Sequence, residues 1–312
     1  MKIRIGSRAS HLALAQTQIV IDALKSIDNS LDCEIVKIST RGDRWVDRPL
    51  SEIGGKGLFV KEIERALLDG EIDIAVHSMK DMPAELADGL CIAAVLKRED
   101  PRDALIYNNA SADKKILANS TMEHGGANNQ LKGLRPGARI GTSSLRRTAQ
   151  LKNLDSSFEV VPLRGNVDTR LKKMKEQGLD AIILAAAGLK RLGMDNIISQ
   201  YISVDIMVPA VGQGAIAVEM RDGDPLYDTI RLLNHRETEI CVRAERAFMN
   251  ELGGSCRVPI GAYAEVIDGD ISLLGMYQLD GKLKKGKIAG KIDEPEILGI
   301  KLAKQIVSGT SI

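Results

Sequence analysis

Arg139-Ile140-Gly141-Thr142, in the middle of the chain, repeats the pattern Arg4-Ile5-Gly6-Ser7 from near its start. In both places a β-forming stretch ends in small residues, and a stretch with helical spacing follows. Two further segments correspond, because Gly70-Glu71-Ile72-Asp73 and Gly178-Leu179-Asp180 each separate a helical stretch from an apolar strand. The repeated order of elements predicts two α/β domains of similar plan with largely parallel sheets. A ligand is expected in the cleft between them, near the carboxyl ends of the strands.

The first repeat shows how individual residues predict helices and strands. Ser10 can cap a helix. The apolar residues of that helix lie mostly on one face: Leu12, Ala15, Ile19 and Ile21. A second helix is predicted from Leu58 to Leu68 and is ended by Gly70, after which Ile72 to Val76 reads as a buried strand.

The C-terminal part has a different pattern. Asn234 and Glu237 resemble a capping box at the start of a helix. Asp268-Gly269 and Asp280-Gly281 are two-residue hairpin turns between short strands, and a last helix starts after Pro295. The pattern predicts a small α+β domain with a three-stranded antiparallel sheet. Its lysines are typical of a solvated edge hairpin, and nucleic-acid binding there is the weaker interpretation.

Composition limits the classes of function. The chain has 312 residues, which favours two or three domains. Its 43 Lys and Arg nearly balance 42 Asp and Glu, so no global basic field would hold nucleic acid or an anionic membrane. Aromatic residues make up only 3% of the chain, which disfavours stacking on nucleobases. The N-terminus lacks the features of a signal peptide, and no apolar run reaches the length of a membrane span.

The cysteines predict neither a zinc site nor a disulfide framework. They are far apart in the sequence and form no C-x-x-C pair, and the four histidines are equally dispersed. A reducing cytoplasm fits this usage best, and no metal is predicted. Cys256 differs from the others because it follows Gly253-Gly254 and precedes Pro259, with Arg257 beside it to favour a thiolate. The alternative of a buried structural cysteine fits the other three better: Cys33, Cys91 and Cys241.

Six arginines lie in glycine-rich or small-residue segments where strands and helices meet: Arg8, Arg146, Arg147, Arg164, Arg170 and Arg191. A helix N-terminus favours an anion, and a guanidinium contacts a carboxylate through two hydrogen bonds. Taken alone, the segment 141–147 reads better as an ordinary helix cap with surface arginines. The set together predicts a cleft for a ligand with many carboxylates. Phosphate is disfavoured because no phosphate-binding glycine motif occurs at a suitable place.

Two further segments could belong to this cleft. Asp81 follows a buried strand directly, so it could act as an acid, a base or a cation-stabilising carboxylate. The alternative is a loop ion pair with the adjacent Lys80. Gly54-Gly55-Lys56-Gly57 precedes a helix and could form either a mobile lid or a plain entry turn.

These motifs together resemble the hydroxymethylbilane synthase family, also called porphobilinogen deaminase. They occur in family order from residue 3 to about 264, and the later C-terminal part matches only in general style. The segments that carry the resemblance are Gly6-Ser7-Arg8, Thr40-Arg41-Gly42-Asp43, Gly54-Gly55-Lys56-Gly57-Leu58-Phe59, His77-Ser78-Met79-Lys80-Asp81, Arg98-Glu99-Asp100-Pro101-Arg102-Asp103, Gly141 to Arg147, Arg164-Gly165-Asn166, Val211-Gly212-Gln213-Gly214-Ala215 and Gly254-Ser255-Cys256.

The resemblance implies a transferase that deaminates four porphobilinogen molecules, joins them head to tail and releases hydroxymethylbilane by hydrolysis. It implies that Asp81 is the catalytic carboxylate, that Cys256 carries a dipyrromethane cofactor through a thioether, and that Lys56 and Phe59 belong to an active-site loop. It also implies a set of residues that bind cofactor and substrate: Arg8, Ser78, Lys80, Thr142, Ser144, Arg146, Arg147, Arg164, Arg170, Ala185, Gly188 and Arg191.

The resemblance further implies a fold with three domains. The first two resemble type II periplasmic binding proteins, and we expect them at 1–98 with 214–232, and at 101–209. The small α+β domain is expected at 234–312, and 108–132 looks like a surface insertion in the second domain. A cytoplasmic monomer with porphobilinogen as substrate, and with no nucleic-acid or membrane partner, is expected. The alternative is a cytosolic binding or sensor protein of the same fold for a carboxylate ligand.

Overall fold

The computed structural model describes residues 2–40, 60–108, 131, 133–254 and 258–309. Its first elements are β1 (Lys2–Ser7), α1 (His11–Ile27), β2 (Asp32–Lys37), α2 (Lys61–Leu68), β3 (Ile74–Ser78) and β4 (Leu90–Val95). There follow β5 (Asp103–Tyr107), β6 (Arg139–Gly141), α3 (Leu145–Leu154), β7 (Glu159–Val161), α4 (Val167–Glu176), β8 (Ala181–Ala185), α5 (Ala186–Arg191) and β9 (Gln200–Ile202). The last are β10 (Ile216–Arg221), α6 (Tyr227–Arg231), α7 (Arg236–Glu251), β11 (Ile260–Ile267), β12 (Asp270–Leu279), β13 (Lys282–Lys291) and α8 (Pro295–Ser308).

Two five-stranded sheets share one topology. Their strand orders are β2-β1-β3-β10-β4 and β7-β6-β8-β5-β9. In each sheet the first three strands are parallel, and the fourth runs antiparallel to both of its neighbours. That fourth strand, β10 or β5, is the first one after the chain crosses from the other sheet. The prediction of two similar α/β domains is confirmed, but the sheets are mixed rather than largely parallel, because each receives a strand from a crossover.

The repeat seen in the sequence marks equivalent positions in the two sheets. The Asp73 carboxylate accepts a hydrogen bond from the Arg4 backbone N–H at 2.7 Å, and Asp180 accepts one from the Arg139 N–H at 2.8 Å. The backbone N–H of each aspartate returns a hydrogen bond to the carbonyl of the same arginine. Each Arg–Asp pair therefore fixes the register of two parallel strands. The first strand of each pair then leads into a strand-to-helix corner that carries predicted site residues.

Helix α1 begins as predicted but buries a different face. The Ser10 hydroxyl accepts a hydrogen bond from the Ala13 N–H, which confirms the cap. The buried residues of the helix are Gln16, Thr17, Val20, Ile21 and Leu24. Of the apolar residues predicted to lie mostly on one face, Ile21 is buried but Ile19 is 39% exposed. The successive 100° rotation per residue places the stripe through Val20 and Leu24 against the sheet, and Ile19 lies outside that stripe.

The third sheet, β11-β12-β13, is antiparallel and carries both predicted hairpins. Asp268 and Gly269 have φ of 51° and 83°, the positive values that a two-residue turn of this kind requires. The capping-box prediction was wrong by one residue, because the His235 ring accepts from the Thr238 N–H and caps α7. Asn234 is used elsewhere, since its side-chain oxygen accepts from the Val95 N–H at 2.9 Å.

Most of the β13 lysines are exposed, but one contacts the second domain. The Nζ of Lys285 donates to the carbonyls of Asp205 and Ile206, both at 2.9 Å. The interpretation of this lysine set as only a solvated edge was therefore incomplete. Lys285 ties the edge strand to the segment through which the chain returns to β10.

The three domains meet at a buried carboxylate on α7. Glu245 accepts from both terminal nitrogens of Arg98, from the Gly212 N–H at 2.7 Å and from the Ala264 N–H at 2.8 Å. Arg98 lies on the first crossover and Gly212 on the second, while Ala264 belongs to β11. One helix of the third domain thus holds both crossovers.

Within the described ranges, no helix is long and apolar enough to cross a membrane.

Candidate active site

A single 3₁₀ turn, Met79–Asp81, continues directly from the end of β3. Met79 and Met82 are buried and anchor the turn on both sides of the exposed Asp81. The Met82 N–H closes the turn on the Met79 carbonyl at 3.1 Å. The buried Met79 and Met82 thus hold the turn so that the Asp81 carboxylate lies at the carboxyl edge of the first sheet, as the sequence predicted.

Ser78 lies at the base of this turn and is bound to α1. Its hydroxyl donates to the Gln16 side-chain oxygen at 3.0 Å and accepts from the Gln16 amide nitrogen at 2.9 Å. Ser78 is half-buried and adjoins the turn, but its hydrogen bonds are made within the first domain. Its predicted role in ligand binding stays a prediction.

Lys80 faces the arginines of the second domain. Burial lowers the pKa of Lys80 to about 8, with Asp81 and Asp103 opposing this effect and Arg147 and Arg146 adding to it. Those charges come from both α/β domains. Lys80 is therefore the point where the Asp81 turn and the arginine corner of the second domain are electrostatically coupled.

Arg146 and Arg147 are buried against a carboxylate that sequence reasoning did not assign to the site. Arg146 donates to Asp103 at 2.7 Å, and Arg147 donates to the other Asp103 oxygen at 2.7 Å. Burial alone would raise the pKa of Asp103, but the two guanidiniums hold it well below its usual range. The Gln213 amide adds a third donor at 3.0 Å. No local pattern signals Asp103, because its partners are more than forty positions away in the chain.

The hydroxyl-rich corner between β6 and α3 is closely packed. The Ser144 side chain caps α3 by accepting from the Arg147 N–H, and the Thr142 hydroxyl accepts from the Ser144 N–H at 3.2 Å. Gly141 leaves no room for a side chain, since a Cβ would lie 2.7 Å from Leu179 and 2.9 Å from Leu163. The corner therefore presents a helix N-terminus with two hydroxyls beside the arginine pair.

Arg170 and Arg164 lie near the same corner. Burial lowers the pKa of Arg170 to about 10, and Arg147 and Arg164 lower it further while Asp81 opposes them. Burial also lowers the pKa of Arg164. The Arg170 Nε donates to the Gly165 carbonyl at 2.8 Å. The structure thus places Asp81 close enough to Lys80 and Arg170 to affect their pKa values, and Arg170 close enough to Arg147 and Arg164. That these side chains line a ligand cleft stays a prediction.

The remaining predicted residues border this cluster in different ways. Burial lowers the pKa of Arg191 to about 10, and its guanidinium donates to the Gly214 carbonyl at 2.6 Å, so it binds the second crossover. Ala185 ends β8, and the buried Gly188 in α5 approaches Leu12 of α1 across the domain boundary. Arg8 is half-buried just after β1. Cys256, Lys56, Phe59 and most of the expected insertion at 108–132 lie outside the described residues.

The arrangement fits a ligand with several carboxylates better than a metal. Within the described residues, no group of three histidine, cysteine or acidic side chains could hold a metal ion. Among the described residues, burial lowers the pKa of Lys80, Arg170 and Arg191 more than nearby carboxylates raise it. The Arg146 Nε is also buried with no hydrogen-bond partner in the described part of the chain. An anionic ligand in the cleft would supply the missing negative charge.

Comparisons with known proteins agree with this chemistry. Residues 3–229 match the family model for porphobilinogen deaminase, dipyromethane cofactor binding domain, and residues 239–308 match the model for the porphobilinogen deaminase C-terminal domain. Porphobilinogen deaminase from Clostridium acetobutylicum is 46% identical over 307 residues, covering 98% of this chain and 99% of that protein. The Syntrophomonas wolfei enzyme of the same name is 48% identical over 310 residues, covering 98% and 95%. Among solved structures, the methionine-binding protein MetQ aligns with a TM-score of 0.44 and 10% identity, over 74% of this chain and 89% of that chain.

Proposed function

Because the chain belongs to the porphobilinogen deaminase family and is a transferase with the cofactor-binding domain of that family, we propose that Asp81 is its catalytic carboxylate and Cys256 its point of cofactor attachment. The reaction joins four porphobilinogen molecules head to tail and releases hydroxymethylbilane by hydrolysis. The observation that carries the role of Asp81 is its position at the strand end, exposed to the cleft and surrounded by desolvated cations.

The geometry supports different roles for Asp81 and for the neighbouring lysine and arginine side chains. Porphobilinogen carries two carboxylates, and we propose that Lys80, Arg147 and Arg170 bind such groups. Loss of ammonia from the substrate produces a cationic azafulvene. A nearby carboxylate stabilises that developing positive charge by roughly several kcal/mol. We propose that Asp81 also takes up and releases a proton in each addition. One carboxylate can do this repeatedly because every porphobilinogen unit is added at the same position.

The remaining binding roles follow from the corner between β6 and α3. Thr142 and Ser144 offer hydroxyls, and the N-terminus of α3 offers unpaired backbone N–H groups. Arg146 is held by Asp103, and its Nε is buried without a hydrogen-bond partner in the described part of the chain. We propose that these groups hold acetate and propionate side chains of the cofactor and of the product chain. We assign the same task to the rest of the predicted set: Arg8, Ser78, Arg164, Ala185, Gly188 and Arg191.

Dipyrromethane, when bound, supplies the pyrrole carbon to which the first substrate unit is joined. A thioether to Cys256 would keep the product chain in the cleft while it grows. Lys56 and Phe59 are proposed to close over the substrate. We further propose that the enzyme works as a cytoplasmic monomer, which sedimentation of the loaded protein would test.

Intact-mass measurement tests the attachment directly. Protein made in cells with an active tetrapyrrole pathway is expected to exceed the mass of the chain by two pyrrole units. The Cys256→Ser variant is expected to have the mass of the chain alone and no turnover. Wild-type protein without added mass, together with no consumption of porphobilinogen, would instead favour a binding or sensor protein.

The Asp81→Ala variant tests the catalytic role separately. It is expected to retain the added mass of bound pyrrole units, because the cations remain, but to lose at least about 100-fold in kcat. Steady-state assay of porphobilinogen consumption measures this. A variant with a near-normal rate would show that Asp81 is not the catalytic carboxylate.

A further inference from the structure

Helix α7 contacts the Asp81 turn through one stripe of side chains. Val242, Arg246 and Asn250 are spaced four residues apart and therefore lie on the same face of the helix. Val242 belongs to the apolar cluster that contains Met79 and Met82. Residues on another face of α7, such as Ala244 and Phe248, pack into the core of the third domain. The stripe thus faces the first domain rather than the domain to which the helix belongs.

Arg246 makes the polar part of this contact. A terminal nitrogen of its guanidinium donates to the Pro83 carbonyl at 2.8 Å and to the Ala84 carbonyl at 2.9 Å. Asn250 reaches the Ala84 carbonyl at 3.5 Å. Burial lowers the pKa of Arg246, with Glu219 opposing the effect. A half-buried arginine that donates hydrogen bonds to two successive carbonyls fixes the path of that backbone segment.

The link from Pro83 back to Asp81 is short and stiff. Only Met82 stands between them, and its φ of −68° and ψ of 139° place it in the extended region that a following proline enforces. The ring of Pro83 fixes its own φ, and the Met82 N–H is held by the Met79 carbonyl. A displacement at the Pro83 and Ala84 carbonyls is therefore transmitted to the Asp81 carboxylate.

We infer that Arg246 is a positioning residue that sets the location of the Asp81 carboxylate from the third domain, an inference that rests on the proposed role of Asp81. Arg246 does not touch the cleft itself in this arrangement. Its contribution is to hold the turn so that the carboxylate faces the same point in every addition. Helix α7 ends at Glu251, five residues before Cys256 in the sequence. The element that holds the catalytic turn is thus also the one that leads into the attachment segment.

The test compares variants as holoenzyme, each verified by intact mass. Arg246→Gln removes the charge and shortens the side chain, and we expect kcat to fall about 10- to 100-fold with KM within about 2-fold of wild type. Arg246→Lys keeps the charge, but its shorter side chain does not reach as far as the guanidinium that contacts both carbonyls, so its kcat should lie between those of wild type and Arg246→Gln. The matched control is Arg243→Gln on the same helix, which breaks only an exposed pair with Glu296 and should leave kcat unchanged.

A double-mutant cycle separates positioning from general destabilisation. If Arg246 acts through Asp81, Arg246→Gln adds no further loss of kcat to the Asp81→Asn variant, since there is no carboxylate left to position. The inference is overturned if Arg246→Gln retains kcat within about 2-fold, or if its loss multiplies fully with that of Asp81→Asn. Should Arg246→Gln not fold, wild-type kcat in Arg246→Lys would overturn it equally. Normal kcat in Asp81→Asn alone would instead defeat the proposed function.

Discussion

A single buried carboxylate, Asp103, organises the electrostatics of the cleft. It neutralises part of the charge of Arg146 and Arg147, so the two guanidiniums can be buried side by side without a ligand. The proposed binding role of the pair requires that a carboxylate of the substrate share the donors that Asp103 leaves unused. Asp103 holds the pair in place, and the charge surplus that attracts the ligand comes from the neighbouring cations.

Lys80 gives this charge surplus a pH dependence. Its pKa is lowered to about 8, so the ammonium form predominates below that pH and is lost as the pH rises through it. We expect kcat/KM for porphobilinogen to fall several-fold between about pH 8 and 9.5, since this parameter reports ionisations of the free enzyme. In Lys80→Arg, which stays charged, the decline should move to higher pH. Steady-state profiles of both proteins measure this, and an unchanged alkaline limb in Lys80→Arg would assign it to another group.

At the scale of elements, the contact between α7 and α8 depends on Gly299. A Cβ at this position would overlap the Ala244 carbonyl and lie 2.7 Å from the Phe248 nitrogen. Both are backbone atoms of α7 and cannot rotate away. We expect Gly299→Ala to lower the free energy of unfolding by about 1–3 kcal/mol or more, as measured by urea denaturation. The exposed Lys301→Ala on the same helix is the control, and equal stability of the two variants would contradict the close approach.

The elements themselves were largely predictable, and the reasons differ from one to another. The Asp-Gly turns of the third sheet were found because their sequence alone demands positive φ values. The repeated arginine and glycine corners were found because each follows a strand end. The cap of α7 was placed one residue early, since Asn234 is an equally good cap but is engaged by the Val95 N–H. That choice depends on a strand far away in the sequence.

Within the candidate site, only the residues proposed to contact the ligand were predicted from the sequence, and the residues that hold them in place were not. Arg147 and Arg170 were predicted because arginines in small-residue segments are unusual, and Lys80 was predicted through the family resemblance. Their supports, Asp103 and Arg246, were missed because their partners come from distant segments, and a lone aspartate or helical arginine carries no local signal.

At the scale of the whole molecule, Glu245 joins the third domain to both crossovers. Its four hydrogen bonds reach Arg98, Gly212 and Ala264, so its removal affects all three domains at once. Glu245→Gln leaves the buried Arg98 guanidinium without a counter-charge, and an uncompensated buried charge costs about 3–5 kcal/mol. We expect urea unfolding to show this loss in the free energy of unfolding. We also expect the wild type to unfold in one transition and Glu245→Gln in two.

The separation follows from where the carboxylate acts. Each domain has its own apolar core, so the domains unfold together only while the contacts between them contribute enough stability. Hydrogen exchange should then show β11–β13 opening independently of the first sheet in Glu245→Gln. The control is Glu251→Gln on the same helix, whose partner Lys304 lies 3.8 Å away on the surface. If both variants unfold in one transition with equal midpoints, the coupling of the domains resides in apolar contacts such as that of Val242, and not in the buried ion pair.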